Sequence, residues 1–140
     1  MSEKTFRKYL RDILVAQGAA VSQVESHETS AGIPDTSVCF KGADSWAELK
    51  FATDKKQVVV RKSQKVWFRD RLKAGATNLF VGVRYETKDK VFNAVKHITD
   101  RADLEHRDPK WWVDNADLVW ASGDDKWYVE PLMRMLGGKQ

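Results

Sequence analysis

The stretch Asn78 to Val83, NLFVGV, is nearly unbroken in apolar residues over a length that suits a strand. Such a run is the mark of a central strand buried on both faces, and it dictates that other elements cover it. The segment before it, SQKVWFRDRLKAG, predicts a helix with Ser63 as N-cap, Trp67, Phe68 and Leu72 on its apolar side and Gly75 as its stop. The segment after it, DKVFNAVKHI, pairs back through the ETKDK turn or forms a short helix. At the N-terminus, Phe6, Leu10, Ile13, Leu14 and Gln17 recur at three- and four-residue steps, which predicts a helix from Ser2, its N-cap, to about Gln17, followed by Gly18. Glu3 begins the face that this helix otherwise buries, and favourable placement at the positive end of the helix dipole suffices to explain it.

Ala20 to Glu25 is strand-like around Val21 and Val24, and HETSAGIPD reads as a loop. Thr36 to Phe40 and Trp46 to Ala52 read as two strands joined by KGADS, a hairpin-length connection. The second alternates: Ala47, Leu49 and Phe51 point one way, and Trp46, Glu48 and Lys50 the other, which puts Glu48 and Lys50 on one face about 7 Å apart. The order helix, three strands, helix, strand (αβββαβ) predicts an α/β or α+β fold with a mixed central sheet. Beyond Asp100 the pattern weakens. Pro109 is expected to break any helix there, LVWASGDDKWYV to form a hairpin around Gly123, and a short helix to lie near Pro131 to Leu136. A chain of 140 residues suits one domain, with a core of about residues 2–96 and a C-terminal extension of about 97–140 that we expect to form a subunit interface.

No apolar run approaches the roughly 20 residues that span a bilayer, so no membrane partner is expected. The charged opening MSEKTFRKYLRDIL lacks the features of a secretory signal, and Cys39, the single cysteine, has no partner for a disulfide; both point to an intracellular, reducing compartment. The charge is unevenly spread. Between Lys55 and Lys73 eight cations face only Asp70, a local +7 in a chain of net +4, which leaves −3 for the rest. Such a block is either a solvated helix face or the footprint of a polyanion-binding surface.

Asp35 follows the rigid Pro34, and the hairpin brings it toward Glu48 and Lys50. Two carboxylates with a carbonyl oxygen form a hard-oxygen site for Mg²⁺ or Mn²⁺, and a neighbouring ammonium positions a water and offsets charge developing on a phosphodiester under attack. Taken alone, an E-x-K in a strand is surface decoration and Asp after Pro a turn residue. His27, His97 and His106 are scattered without zinc-like spacing. Trp111 and Trp112, beside Lys110, fill a core or an interface in the simpler reading and stack on unpaired bases in the alternative.

GIPD followed by ELK, Pro34-Asp35 and Glu48-Leu49-Lys50, resembles the signature of the PD-(D/E)XK nuclease superfamily. The continuation RKSQKVWFRDRLKAGATNLFVGV is similar to the segment after the catalytic strand in the VRR-NUC branch, and the likeness covers roughly Glu3 to Val83. The resemblance implies a restriction-endonuclease-like core and a metal-dependent DNA endonuclease, similar to phage Holliday junction resolvases that act on branched or four-way DNA as homodimers. It assigns Asp35 and Glu48 as metal ligands with the Leu49 carbonyl as a third, Lys50 as the group orienting the attacking water, Gln64 as the supporting glutamine, and Glu3 as the acid of the first helix, with Glu25 and Glu28 as alternatives for that last role. In this light phosphate binding becomes the better reading of the basic block, through Lys55, Lys56, Arg61, Lys62, Lys65 and Arg69, selecting DNA by shape rather than sequence. The phage likeness implies the cytoplasm of a bacterial host. Two rivals are a nuclease of the same type acting on linear ends or flaps, and a catalytically silent DNA-binding module, against which the presence of Asp35, Glu48 and Lys50 argues.

Overall fold

The computed structural model describes residues 2–24 and 32–137. In chain order these hold α1 (Glu3–Ala16), β1 (Ala20–Gln23), β2 (Thr36–Phe40), β3 (Ala43–Thr53), α2 (Lys62–Lys73), β4 (Leu79–Glu86), β5 (Val91–His97), α3 (Pro109–Asn115), β6 (Leu118–Ala121) and α4 (Val129–Leu136). The six strands form one sheet in the order β1-β2-β3-β4-β5-β6. All neighbours are antiparallel except β3 and β4, whose parallel pairing requires a crossover, and α2 supplies it. The fold is therefore α+β with a mostly antiparallel sheet.

β4 is buried from Leu79 to Tyr85, as the apolar run predicts, because helices cover both sides of the sheet. On one face Phe6, Leu10 and Leu14 of α1 and Leu132, Met133 and Leu136 of α4 enclose Val38, Ala47, Leu49 and Phe80. On the other, Phe68 of α2 and Trp112 of α3 pack with Val81, Val83 and Tyr85. At Gly82 an added Cβ would fall 2.7 Å from a Leu49 side-chain carbon, so this glycine lets the first layer close against the sheet. α1 ends where expected, with the Ser2 hydroxyl accepting from the Thr5 N–H and Gly18 at φ 94°. DKVFNAVKHI takes the strand alternative as β5.

Several local expectations are corrected. β3 starts at Ala43, because the hairpin turns in Lys41 and Gly42 alone, at φ 52° and 80°, the pair of positive values that a tight two-residue turn needs. The N-cap of α2 is Arg61 and not Ser63: the Gln64 side chain reaches back to accept from the Arg61 N–H at 3.0 Å, which settles the first turn without a hydroxyl. Pro109 starts α3 instead of breaking it, since its missing N–H costs nothing at the first helical position, and the Asp108 carboxylate accepts from the Lys110 N–H as cap. LVWASGDDKWYV is not a hairpin. β6 pairs with β5, and Tyr128 returns to stack on Trp120 at 4.4 Å between ring centroids. The residues beyond 96, expected as an extension, furnish much of both cores through Ile98, Leu104 and Trp112 on one side and Leu118, Trp120 and α4 on the other. Trp112 is thus a core residue, while Trp111 lies half-buried against the His106 ring at 3.6 Å.

Candidate active site

The site begins where β2 stops. The last β2–β3 pair joins Thr36 to Ala47, so from Glu48 onward β3 keeps its β4 partner and loses its β2 partner. Asp35, one residue before β2, occupies the vacated flank. Its N–H donates to Glu48 Oε1 at 3.1 Å, and its carboxylate accepts from the Leu49 N–H at 3.3 and 3.4 Å and from the Thr36 hydroxyl at 2.8 Å. Its carbonyl accepts from the Val24 N–H at 2.8 Å, tying the same residue to the end of β1. The turn before it leans on α2: at Gly32, φ 82°, an added Cβ would overlap the Ser63 carbonyl and fall 2.7 Å from the Gln64 nitrogen. Only glycine fits both that conformation and that approach.

From the other side α2 contributes Gln64, which is 2% exposed. Its Nε2 donates to Glu48 Oε2 at 2.8 Å, and its Oε1 accepts from Lys50 Nζ at 3.1 Å as well as from the Arg61 N–H. Lys50 Nζ also lies 3.2 Å from Glu48 Oε2. Every partner of the Gln64 amide fits one orientation of its oxygen and nitrogen. Asp35, Glu48, Lys50 and Gln64 are all buried, yet they line the floor of an open cavity of about 610 Å³ whose walls include Glu3, Arg7 and Arg61. The expected alternation on β3 is present, although both its faces are covered: Ala47 and Leu49 enter the α1 core, while Trp46 packs against the α2 side.

Burial, and after it the nearby Glu48 carboxylate, push the Asp35 carboxyl up from 3.8 to about 7, against the opposing pull of the Thr36 hydroxyl, Arg7 and the Leu49 amide. Two carboxyl groups sharing so little solvent form a site that gains from a cation. The Leu49 N–H points at Asp35, and a strand residue's N–H and C=O leave the same side, so the Leu49 carbonyl faces this flank too. Among the described residues no three His, Cys, Asp or Glu side chains cluster as metal ligands. The donors are therefore two carboxylates and a carbonyl, a set that fits Mg²⁺ or Mn²⁺, which retain waters, and does not fit zinc.

Glu3 lines the cavity without joining the carboxylate pair. Glu25, Glu28 and His27 lie outside the described residues. Of the basic block, Arg61 stands at the cavity wall, and Lys55 and Lys56 line an adjoining depression that shares Glu3, Lys50 and Val59 with it. Lys62 is exposed, whereas Lys65 is paired with Glu105 at 2.8 Å and Arg69 with Asp70 at 3.0 Å. His97 and His106 stand elsewhere, stacked on Phe80 and Trp111. Sequence reasoning missed Arg7, Thr36 and Gly32. Arg7 was accessible through its spacing, four residues and one turn after Glu3 on the same face.

No protein-family model matches the chain, and no curated protein matches it. No helix among the described residues is long and apolar enough to cross a membrane.

Proposed function

We propose that this chain is a metal-dependent DNA endonuclease of the PD-(D/E)XK type, selective for branched DNA such as four-way junctions and acting as a homodimer. The observation that carries the reading is the meeting of Asp35, Glu48 and Lys50 with Gln64 on the floor of one cavity, in hydrogen-bonded contact throughout. The hairpin register alone brings Asp35 beside Glu48 and Lys50, but it does not require three ionisable side chains there, and burying them is costly unless the site is used.

In this reading Asp35, Glu48 and the Leu49 carbonyl hold Mg²⁺ or Mn²⁺. Such an ion would supply Lewis-acid chemistry for a phosphate oxygen and a lowered pKa for a bound water, which the side chains lack. Lys50 donates one hydrogen bond to Gln64 and is ion-paired with Glu48, which leaves an N–H donor for a water or a non-bridging phosphate oxygen. Gln64 locks Glu48 and Lys50 in register, so that neither must reorganise when charge develops. Arg61, Lys55 and Lys56 beside the cavity and Lys62 on the first turn of α2 suit contacts to backbone phosphates, which position a duplex without reading its bases. A symmetric pair of sites suits a two-fold junction.

The test is incubation of the protein with a four-way junction, a flap and a linear duplex, in Mg²⁺, in Mn²⁺ and in chelator, beside Glu48→Ala and Lys50→Ala. Metal-dependent junction cutting that both substitutions abolish is the expected result. Binding without cutting under either metal would remove the enzyme, and equal rates on linear duplex would remove the structure selectivity. Sedimentation decides the dimer separately.

A further inference from the structure

We propose that Arg7 is a substrate-binding residue of this site, holding a non-bridging oxygen of the phosphate that enters the cavity. The inference rests on the nuclease reading and adds a cation from α1 to a floor built from Asp35 ahead of β2, from β3 and from α2.

Arg7 lies on the cavity wall, with its Nη1 3.8 Å from Asp35 Oδ2. That distance is an electrostatic approach and not a hydrogen bond, whereas the same carboxylate already accepts from the Thr36 hydroxyl at 2.8 Å and from the Leu49 N–H at 3.3 Å. Asp35 is therefore positioned without Arg7. The guanidinium, for its part, makes no hydrogen bond among the described residues, and its side chain is 30% exposed and lines the cavity. A planar group with five N–H donors, held at the mouth of a pit and left unsaturated, is suited to a phosphate, whose oxygens match the fork geometry. α1 is anchored by Phe6 and Leu10, both buried, so the base of the side chain is fixed while its head is free to turn.

Charge accounting supports the same role. With the cavity empty, Arg7 faces the carboxylate pair. A divalent cation held by Asp35 and Glu48 would cancel that attraction, and the guanidinium would then turn to the negative charge remaining in the cavity, that of the phosphate. Arg7 and Lys50 thus flank the position a phosphate would take, one from the helix above and one from the strand below.

The test compares Arg7→Gln and Arg7→Lys with Lys8→Gln in the full chain. Lys8 is the next residue on α1, lies outside the cavity and pairs with Asp12, so its substitution removes the same charge from the same helix. Binding of a fluorescent four-way junction is followed by anisotropy at a fixed concentration of Ca²⁺, a divalent ion that takes the same oxygen donors, across a salt series, with melting temperature alongside. Arg7→Gln is expected to weaken binding roughly tenfold and to lower the slope of log K against log salt by about 0.9, one phosphate contact, at unchanged melting temperature. Arg7→Lys should restore the slope and only part of the affinity, and Lys8→Gln should leave both near wild type. Equal losses in Arg7→Gln and Lys8→Gln would overturn the inference in favour of bulk charge. A lowered melting temperature with an unchanged slope would overturn it in favour of a structural partner for Asp35. Either result leaves nuclease activity of the wild type intact, whereas a wild type that binds no DNA removes the function and this role together.

Discussion

Asp35→Asn should stabilise the metal-free protein, and do so more as pH rises. Burial and Glu48 raise the Asp35 carboxyl from 3.8 to about 7, so between those values the folded chain holds a proton that the unfolded chain has lost. Stability falls with pH wherever the native state binds more protons, which means that the contribution of the raised group is complete below pH 3.8 and is lost as pH climbs through about 7. At about 1.36 kcal/mol per unit the full effect is roughly 4 kcal/mol, of which roughly 3 kcal/mol falls between pH 5 and 8. Asparagine imitates the protonated acid: it keeps an acceptor for the Thr36 hydroxyl or the Leu49 N–H and never ionises. It lacks the second oxygen's bonds, so the advantage over wild type should grow by about 1–3 kcal/mol from pH 5 to pH 8. Urea unfolding followed by tryptophan fluorescence in chelator reads this directly, and the titration of acids remote from Asp35 cancels in the difference. A difference that is flat with pH, or an Asn variant less stable than wild type at pH 8, would refute the claim that the site stores destabilising charge.

Three further predictions follow the same logic. Mg²⁺ should raise the melting temperature of the wild type, by about 2.7 kcal/mol of stability at roughly a hundredfold excess over Kd, and should leave Asp35→Asn and Glu48→Gln nearly unmoved; thermal shift without any DNA checks it. Gly32→Ala should cost at least about 2 kcal/mol, since the Cβ meets the Ser63–Gln64 backbone at a positive φ, and it should blunt the Mg²⁺ response by pushing Asp35 away from Glu48; denaturation and thermal shift on one sample separate the two effects. Trp112→Ala should cost about 3–5 kcal/mol while Trp111→Ala costs far less, as urea midpoints will show, because only Trp112 is enclosed in the core.

Periodicity made α1 and β3 legible, because each presents a regular set of residues to a layer, and an unbroken apolar run did the same for β4, which is buried on both faces. Ends and turns were less so. Ser63 has the residue type of a cap, but the Gln64 side chain took over the task from within the helix, a choice that depends on the buried Glu48 and Lys50 it also serves. Pro109 reads as a breaker from its ring alone, and becomes a helix start only because Asp108 precedes it as a cap. LVWA is an ordinary strand whose partner, β5, lies about 25 residues earlier, and local spacing favours the nearer and wrong neighbour. At the site, Asp35, Glu48 and Lys50 could be grouped because a hairpin sets their spacing, whereas Gln64 joined them only through the resemblance to the nuclease signature. Gly32 acts through its approach to the α2 backbone and Thr36 through a hydrogen bond to its neighbour Asp35, and no period in the sequence announces either.

The early end of β2 has one more consequence. Asp35 faces the amide of Leu49 because five paired positions and a two-residue turn count out the interval between them. A single residue inserted anywhere in that hairpin would slip the ladder by one, send the carboxylate to the opposite face and leave the cavity floor with one acid instead of two. Relatives of this chain should therefore change length between Asp35 and Glu48 only by steps that restore the parity of the strands.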